Sequence, residues 1–354
     1  MAGPSDVGEI TKRKGDHLAL CATDAVAFKS KGTLLDEVEL VHDALPERAV
    51  DEVRLETRLL GKVLSAPLVV SGMTGGTAEA RAVNRDLARA AEAVGVGFGL
   101  GSQRAMLRAP DLGSTYAVRD VAPKALVLGN IGLVQARETP TARLAELVRA
   151  VGADALCVHL NPAMELVQPG GDRDFRGGLD TLRRLHGELP VPIVVKETGA
   201  GLSRRVAERV AAIGIRAVDV SGAGGTSWVG VETLRAEGRG KALGETFWDW
   251  GIPTAASVGL LDGLGLEIIA TGGVRSGLDV ARALALGATA GGMAAPLLRA
   301  QRAGGFEGAR RALETVVEEI RVATFLCGCA GSSDLRRAPR VLGPRLAAWL
   351  REAR

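Results

Sequence analysis

Along this chain, short runs of Val, Ile, Leu and Ala recur. Each ends in glycine or a polar residue and is followed by a stretch with helical spacing. The runs are APLVVSG (66–72), GVGFGLGS (95–102), ALVLGN (125–130), DALCVHLN (154–161), VPIVVKE (191–197), AVDVSG (217–222), EIIATGG (267–273) and ATAGGMAA (288–295). Continuous apolar runs of this length read as parallel strands covered on both faces. Between them, AVNRDLARAAEAV (82–94), SRRVAERVAAI (203–213) and GLDVARALAL (277–286) place apolar side chains on one face of a helix. Eight strands alternating with helices predict an α/β fold, a (β/α)8 TIM barrel. A doubly wound open sheet is the competing architecture, but no GxGxxG follows the first strand to support it. Residues 1–65 read as an N-terminal extension over the barrel mouth. Residues 66–354 read as the barrel, closed by C-terminal helices in EGARRALETVVEEIRVATFL and PRLAAWLREA.

Composition narrows the picture. Aromatic residues are 3% of the chain and glycines number 47, which suits small-residue packing and Gly loops better than a β-sandwich. The formal charge is +3, from 44 basic and 41 acidic residues, so nothing global points to nucleic acid or a membrane surface. No apolar run approaches the roughly 20 residues that span a bilayer. The start MAGPSDVGEITKRKGDHL lacks the apolar segment of a secretory signal. Cys21, Cys157, Cys327 and Cys329 read as reduced thiols of a cytoplasmic protein, the last two being too close for an ordinary disulfide.

The candidate chemistry lies just past the strands, where this fold builds its reactive face. MTGGT (73–77), SQR (102–104), Asn130, HLNPAMELVQPGGDR (159–173), KETGAGLS (196–203), SGAGGTSW (221–228), GGVRSGLD (272–279) and GMAA (292–295) follow the eight runs in order. In GGVRSGLD two glycines admit a close ligand and a helix begins near Ser276, an arrangement suited to phosphate. Lys196 tips an apolar strand. It reads as a Schiff-base lysine, as a fixed cation beside a cofactor that becomes anionic, or as a solvated side chain. KRKGDHL (12–18) is a basic patch able to complete an anion clamp with Arg104.

RKGDH, SGMTGGT, GSQR, HLNPA-E, VVKETG-G-S, SGAGGTSW, WGIPTAAS and GGVRSGLD, in this order, closely resemble the type 2, FMN-dependent isopentenyl diphosphate delta-isomerases, from about Arg13 to the C-terminal helices. The resemblance implies an isomerase of isoprenoid biosynthesis that interconverts isopentenyl and dimethylallyl diphosphate. It implies reduced FMN acting as acid and base, Mg2+, NADPH as flavin reductant, and a homo-oligomer. By the same resemblance Arg13, Lys14, His17, Ser102 and Arg104 form the diphosphate clamp, with His159 and Asn161 as polar neighbours. Met73, Thr74, Ser102, Asn130, Lys196 and Thr226 match flavin contacts. Gly273, Val274, Arg275, Ala294 and Ala295 match the loops at the flavin phosphate. Glu165 matches the magnesium ligand and Glu232 an acid near the reacting carbons.

The chain departs from the family pattern at Met164, where a glutamine is usual, and at Gly170, where an acid is common. A thioether donates no hydrogen bond. Either the flavin alone handles the proton and Met164 only reshapes the pocket, or the reaction or substrate has changed. A third outcome is a flavoprotein that binds without turnover. An α-hydroxy-acid oxidase on the same fold would want a His–Arg arrangement late in the barrel, and His17, His42, His159 and His186 all lie earlier.

Overall fold

In the computed structural model, residues 15–353 are described. Eight parallel strands close into a barrel, numbered here in chain order: β1 (Leu68–Val70), β2 (Gly97–Gly99), β3 (Val127–Gly132), β4 (Ala155–Leu160), β5 (Ile193–Glu197), β6 (Ala217–Asp219), β7 (Glu267–Ala270) and β8 (Ala290–Met293). Each strand pairs with its sequence neighbours, and β8 closes on β1. Every apolar run named above supplies one strand, so the observed topology is that of a (β/α)8 barrel.

Two layers of apolar packing hold it. Outside the strands, buried Leu, Val and Ala of the helices pack against outward residues such as Phe98, Val158 and Val195. Inside, a smaller cluster fills the barrel with Val69, Leu128, Cys157, Val194, Ala217, Ile269 and Ala290. The interior is therefore a packed core, and its lower end is plugged by an antiparallel hairpin, Thr57–Leu59 with Lys62–Leu64. Leu59 and Leu64 join the interior cluster, and the Leu60 amide donates to Glu267 Oε2 at 2.8 Å.

The N-terminal segment reaches both ends of the barrel. The stretch 15–28 lies on the upper mouth, where Ser227 N donates to the Val26 carbonyl at 2.7 Å and Phe28 N to that of Gly225 at 3.3 Å. The hairpin serves the lower end. Strand Val38–Leu40 pairs with Arg340–Leu342 and ties this segment to the C-terminal part of the chain. The helix Ala295–Leu326 is broken by non-helical backbone at Gly304 and Gly305. Three helices, Trp228–Arg235, Gly238–Phe247 and Thr254–Leu261, stand between β6 and β7.

Candidate active site

Strand periodicity builds the site. In a strand, residues two apart face the same side. Two residues above the interior cluster stand Ser71 above Val69, Asn130 above Leu128 and His159 above Cys157. Lys196 stands above Val194, Asp219 above Ala217, Thr271 above Ile269 and Gly292 above Ala290. The polar row is the next layer of the same barrel interior. Register confirms the level, because His159 pairs with Lys196 and Lys196 with Asp219.

Above this floor opens a cavity of about 510 Å³ at the carboxyl ends of the strands. The sequence-predicted residues that line it are His17, Met73, Thr74, Ser102, Arg104, Asn130, His159, Asn161, Met164, Glu165, Lys196, Thr226, Gly273, Val274, Arg275, Ala294 and Ala295. Glu232 does not line it. That side chain is fully buried, its Oε1 2.8 Å from His17 Nε2 and its Oε2 2.8 Å from Arg235 Nη1. His17 stands on the wall, edge-on to Trp228 with ring centroids 5.2 Å apart. Arg13 and Lys14 lie outside the described residues.

Lys196 is buried and its ammonium donates to Asp219 Oδ2 at 2.7 Å. The other carboxylate oxygen of Asp219 accepts from Thr271 Oγ1 and, at 3.2 Å, from Ser221 N. Removing one member of such a buried pair typically costs about 3–5 kcal/mol. The pair favours a fixed cation over a free amine nucleophile. Next to Lys196, Glu197 turns away from the barrel and its Oε2 accepts four successive amides, from Thr198 to Gly201, at 2.5–3.1 Å. Burial pushes the Glu197 carboxyl up to about 7, with the amides and Lys196 opposing. This turn shapes the loop after β5.

His159 is held neutral. Burial, then the charges of Lys196 and Arg104, lower its pKa to about 4. Asn130 Nδ2 donates to the Leu100 carbonyl at 3.1 Å, so its Oδ1 must accept. The 2.8 Å contact between His159 Nδ1 and Asn130 Oδ1 therefore assigns the proton to Nδ1.

The loop after β4 carries Glu165 in the first turn of helix Pro162–Val167. Its carboxylate is buried and accepts from Asn161 Nδ2 at 2.8 Å and from Asp172 N at 2.8 Å. These bonds fix its orientation and leave lone pairs for a cation. Among the described residues no group of three or more His, Cys, Asp or Glu forms a metal nest. Gly170 adopts φ +67°, and a Cβ at that position would meet nothing within 4 Å. Its replacement of a family acid thus relieves left-handed backbone and leaves space.

The upper rim suits a phosphate. Gly225 and Gly273 approach so closely that a Cβ on Gly225 would lie 2.3 Å from Gly273 N. Ser276 caps helix Gly277–Ala285 by accepting from Asp279 N, and Ala294 stands at the cap of the helix starting at Ala295. Three cavity-lining residues carry buried polar atoms without a hydrogen-bond partner, Ser71 Oγ, Arg104 Nε and Gln168 Oε1. Two of these can donate and one accepts, which points to a polar ligand rich in acceptors that also offers a donor. Ser71, Thr271 and Asp219 escaped the sequence reading, although counting two residues on from each interior position would have found them. Gln135 and Arg299 also line the cavity and came with no motif, while Gln168 and Trp228 lay in quoted motifs with no role assigned.

The family model described as FMN-dependent dehydrogenase matches residues 8–164 and 173–341. The break falls on the turn bearing Glu165 and Gly170. The isopentenyl-diphosphate delta-isomerase of Methanosarcina barkeri is 43% identical, covering 95% of this chain and 93% of that protein. The protein of the same name from Thermococcus kodakarensis is 45% identical, covering 99% of this chain and 96% of its own. Among solved structures, mandelate oxidase with (S)-2-phenylpropionate superposes with a TM-score of 0.62 at 22% identity, covering 95% of this chain and 98% of that one. A mandelate oxidase variant with a monooxide FMN adduct gives 0.64 at 22% identity, covering 96% and 100%. At that identity the likeness is one of fold. The long matches at 43–45% identity decide the closer kinship, and the chain belongs to the FMN-dependent dehydrogenase family and, within it, to the FMN-dependent isopentenyl-diphosphate delta-isomerases.

Proposed function

We propose that the protein is an FMN-dependent isomerase that interconverts isopentenyl and dimethylallyl diphosphate. The observation that carries the reading is one cavity joining three features: a glycine-lined phosphate rim, a paired cation in the floor and an unpartnered arginine nitrogen. The residues fit FMN. The rim at Gly273, Val274, Ala294 and Ala295 offers backbone amides for its phosphate, and the Arg275 amide is held by Asp279 at 3.1 Å. Lys196 in the floor offers a cation, and Ser71 Oγ an unsatisfied hydroxyl.

The reaction is neutral in redox terms. One proton joins the terminal alkene carbon and one leaves the carbon on the far side of the double bond. Bound reduced FMN supplies a group that gives and takes a proton in a dry site. The chain does the rest. Arg104 and Ser102 hold the diphosphate, and Arg13 and Lys14 complete the clamp. Glu165, oriented by Asn161 and the Asp172 amide, would hold Mg2+, which would neutralise charge on the diphosphate. One carboxylate plus substrate phosphates is an ordinary magnesium arrangement. His159, neutral at physiological pH, places a hydrogen-bonding ring beside the clamp without adding charge. Met164 and Trp228 line the cavity with apolar surface that keeps water from the isoprenyl tail. His17, backed by Glu232, sets the polarity at that wall. Lys196 stabilises negative charge on the cofactor. NADPH is the proposed source of reducing equivalents.

No helix of the described residues is long and apolar enough to cross a membrane. The reading includes a cytoplasmic location and a homo-oligomer. Exposed Leu234, Phe247 and Trp250, in the insertion between β6 and β7, provide apolar surface for a copy-to-copy contact. Met164 supports a second reading, in which substrate or reaction has changed. One experiment separates them: incubate isopentenyl diphosphate with the protein, FMN, NADPH and Mg2+, and identify the product by mass spectrometry and proton NMR. Dimethylallyl diphosphate is expected. Unchanged substrate under anaerobic reducing conditions would reject the isomerase.

A further inference from the structure

The Lys196–Asp219 pair is built differently on its two sides. Lys196 lines the cavity; Asp219 does not and stands behind it in the barrel interior. Of the three ammonium protons of Lys196 one is engaged, by Asp219 Oδ2 at 2.7 Å, which leaves two for a ligand above. Asp219 is in turn held at its own level by Thr271 Oγ1 and from above by the Ser221 amide, which fixes the orientation of its carboxylate. Cys157, on the next strand below Lys196, adds no charge, because burial pushes its thiol up to about 12.

We propose that Asp219 is a positioning residue that sets the reduction potential of the bound flavin through Lys196, a step that rests on FMN occupying this cavity. The resting pair is neutral overall. A negative charge arriving on the isoalloxazine ring meets a near cation and a more distant anion, and the net attraction is the difference of two Coulomb terms. With Asp219 present, the ring is stabilised as an anion, but less than an unopposed buried cation would allow. Thr271 modulates the same balance by drawing part of the carboxylate charge toward its hydroxyl. The pair thus works as a graded electrostatic setting, aimed at a cofactor that must be reduced to act and must not be locked in that form.

The test uses the FMN-loaded protein and two readouts other than turnover: the flavin midpoint potential, and the affinity for sulfite, which adds to oxidised flavin and leaves negative charge on the ring. Asp219→Asn keeps shape and removes charge. The expected result is a more positive midpoint potential, corresponding to at least a tenfold change in the reduction equilibrium, about 30 mV for two electrons, with sulfite bound at least tenfold more tightly. Thr271→Val is the companion variant. It strips a donor from Asp219, leaves more negative charge on the carboxylate to offset Lys196, and is expected to shift the potential the other way. It carries the test alone should the Asn variant fail to fold. FMN bound stoichiometrically with potential and sulfite affinity unchanged would overturn the role of Asp219 and leave the isomerase reading intact. A wild-type protein that binds no FMN would overturn both.

Discussion

At the scale of single residues, the site depends on whether Met164 can replace an amide. It lies on the cavity wall in the helix that carries Glu165, so the loop keeps its shape while its hydrogen-bonding group is gone. If the flavin moves the proton, Met164→Gln should alter single-turnover isomerisation with prereduced FMN by less than about tenfold, under ~1.4 kcal/mol of barrier. A gain of about 10²-fold would show that an amide there belongs to the relay. Arg104 carries a buried nitrogen without a partner, and Arg104→Ala should weaken diphosphate binding roughly 10–150-fold, about 1.5–3 kcal/mol, while FMN stays bound. Equal substrate affinity in calorimetry would place Arg104 outside the clamp. His159 gives a pH test. Its pKa falls from 6.5 to about 4 on folding, so between these values the unfolded chain holds more protons and stability rises with pH. The melting temperature should therefore drop as pH falls from about 6.5 toward 4, and His159→Gln should flatten part of that slope. An identical slope in the variant would remove His159 as its source. Residue identities at the strand tips were legible because the motifs named them. Asp219 was not, since AVDVSG reads as one more apolar strand until the register sets it against Lys196.

At the scale of elements, the eight strands were legible because both of their faces are apolar, and the amphipathic helices because one of theirs is. The insertion between β6 and β7 was harder to read. Every residue of Thr254–Leu261 is buried, so that helix has no polar face to give it a period. The break at Gly304 and Gly305 was marked only by two adjacent glycines, and the predicted helix 307–326 begins just past it. Glu232 sits in another of these inserted helices, turned toward His17, and one-dimensional spacing could not show that it is screened from the cavity. Loop geometry also yields a prediction. Gly273 has φ +73°, and a Cβ there would meet the Gly224 carbonyl oxygen at 2.6 Å and Thr33 Cγ2 at 2.5 Å. Gly273→Ala is expected to open the phosphate rim and lower the FMN content of purified protein, read from the ratio of flavin to protein absorbance. Full flavin loading would mean that this loop does not hold the phosphate. The Glu165 loop has its own test. Glu165→Gln should lose most of the dependence of substrate binding on Mg2+, because the amide oxygen is a poorer ligand than the carboxylate. An unchanged magnesium titration would move the metal elsewhere.

At the scale of the whole molecule, the barrel spends its lower interior on packing and its upper interior on charge. Small side chains such as Ala217 and Ala290 fill the lower layer, while one level higher Lys196 and Asp219 pair in a setting where hydration is lost. On the cavity wall above them, Ser71 Oγ, Arg104 Nε and Gln168 Oε1 have no partner within the protein, and a bound ligand can supply one. Ligand binding should therefore stabilise the fold as a unit. The N-terminal stretch on the upper mouth contributes His17 and Cys21 to the cavity wall and is tied to the loop after β6 through Val26 and Ser227. It should gain order together with the barrel when the cavity fills. For a ligand that binds only the folded chain, 100-fold excess over Kd adds about 2.7 kcal/mol and 1,000-fold about 4.1 kcal/mol. Stripped protein titrated with FMN should show a melting temperature that climbs with the logarithm of FMN concentration, with no separate early transition for the N-terminal stretch. Circular dichroism follows the barrel, and proteolysis at Lys29 and Lys31, immediately after residues 15–28, follows the end of the stretch on the mouth. A barrel transition that rises with FMN while cleavage at those lysines stays unprotected would show that the mouth segment melts on its own and takes no part in holding the cofactor.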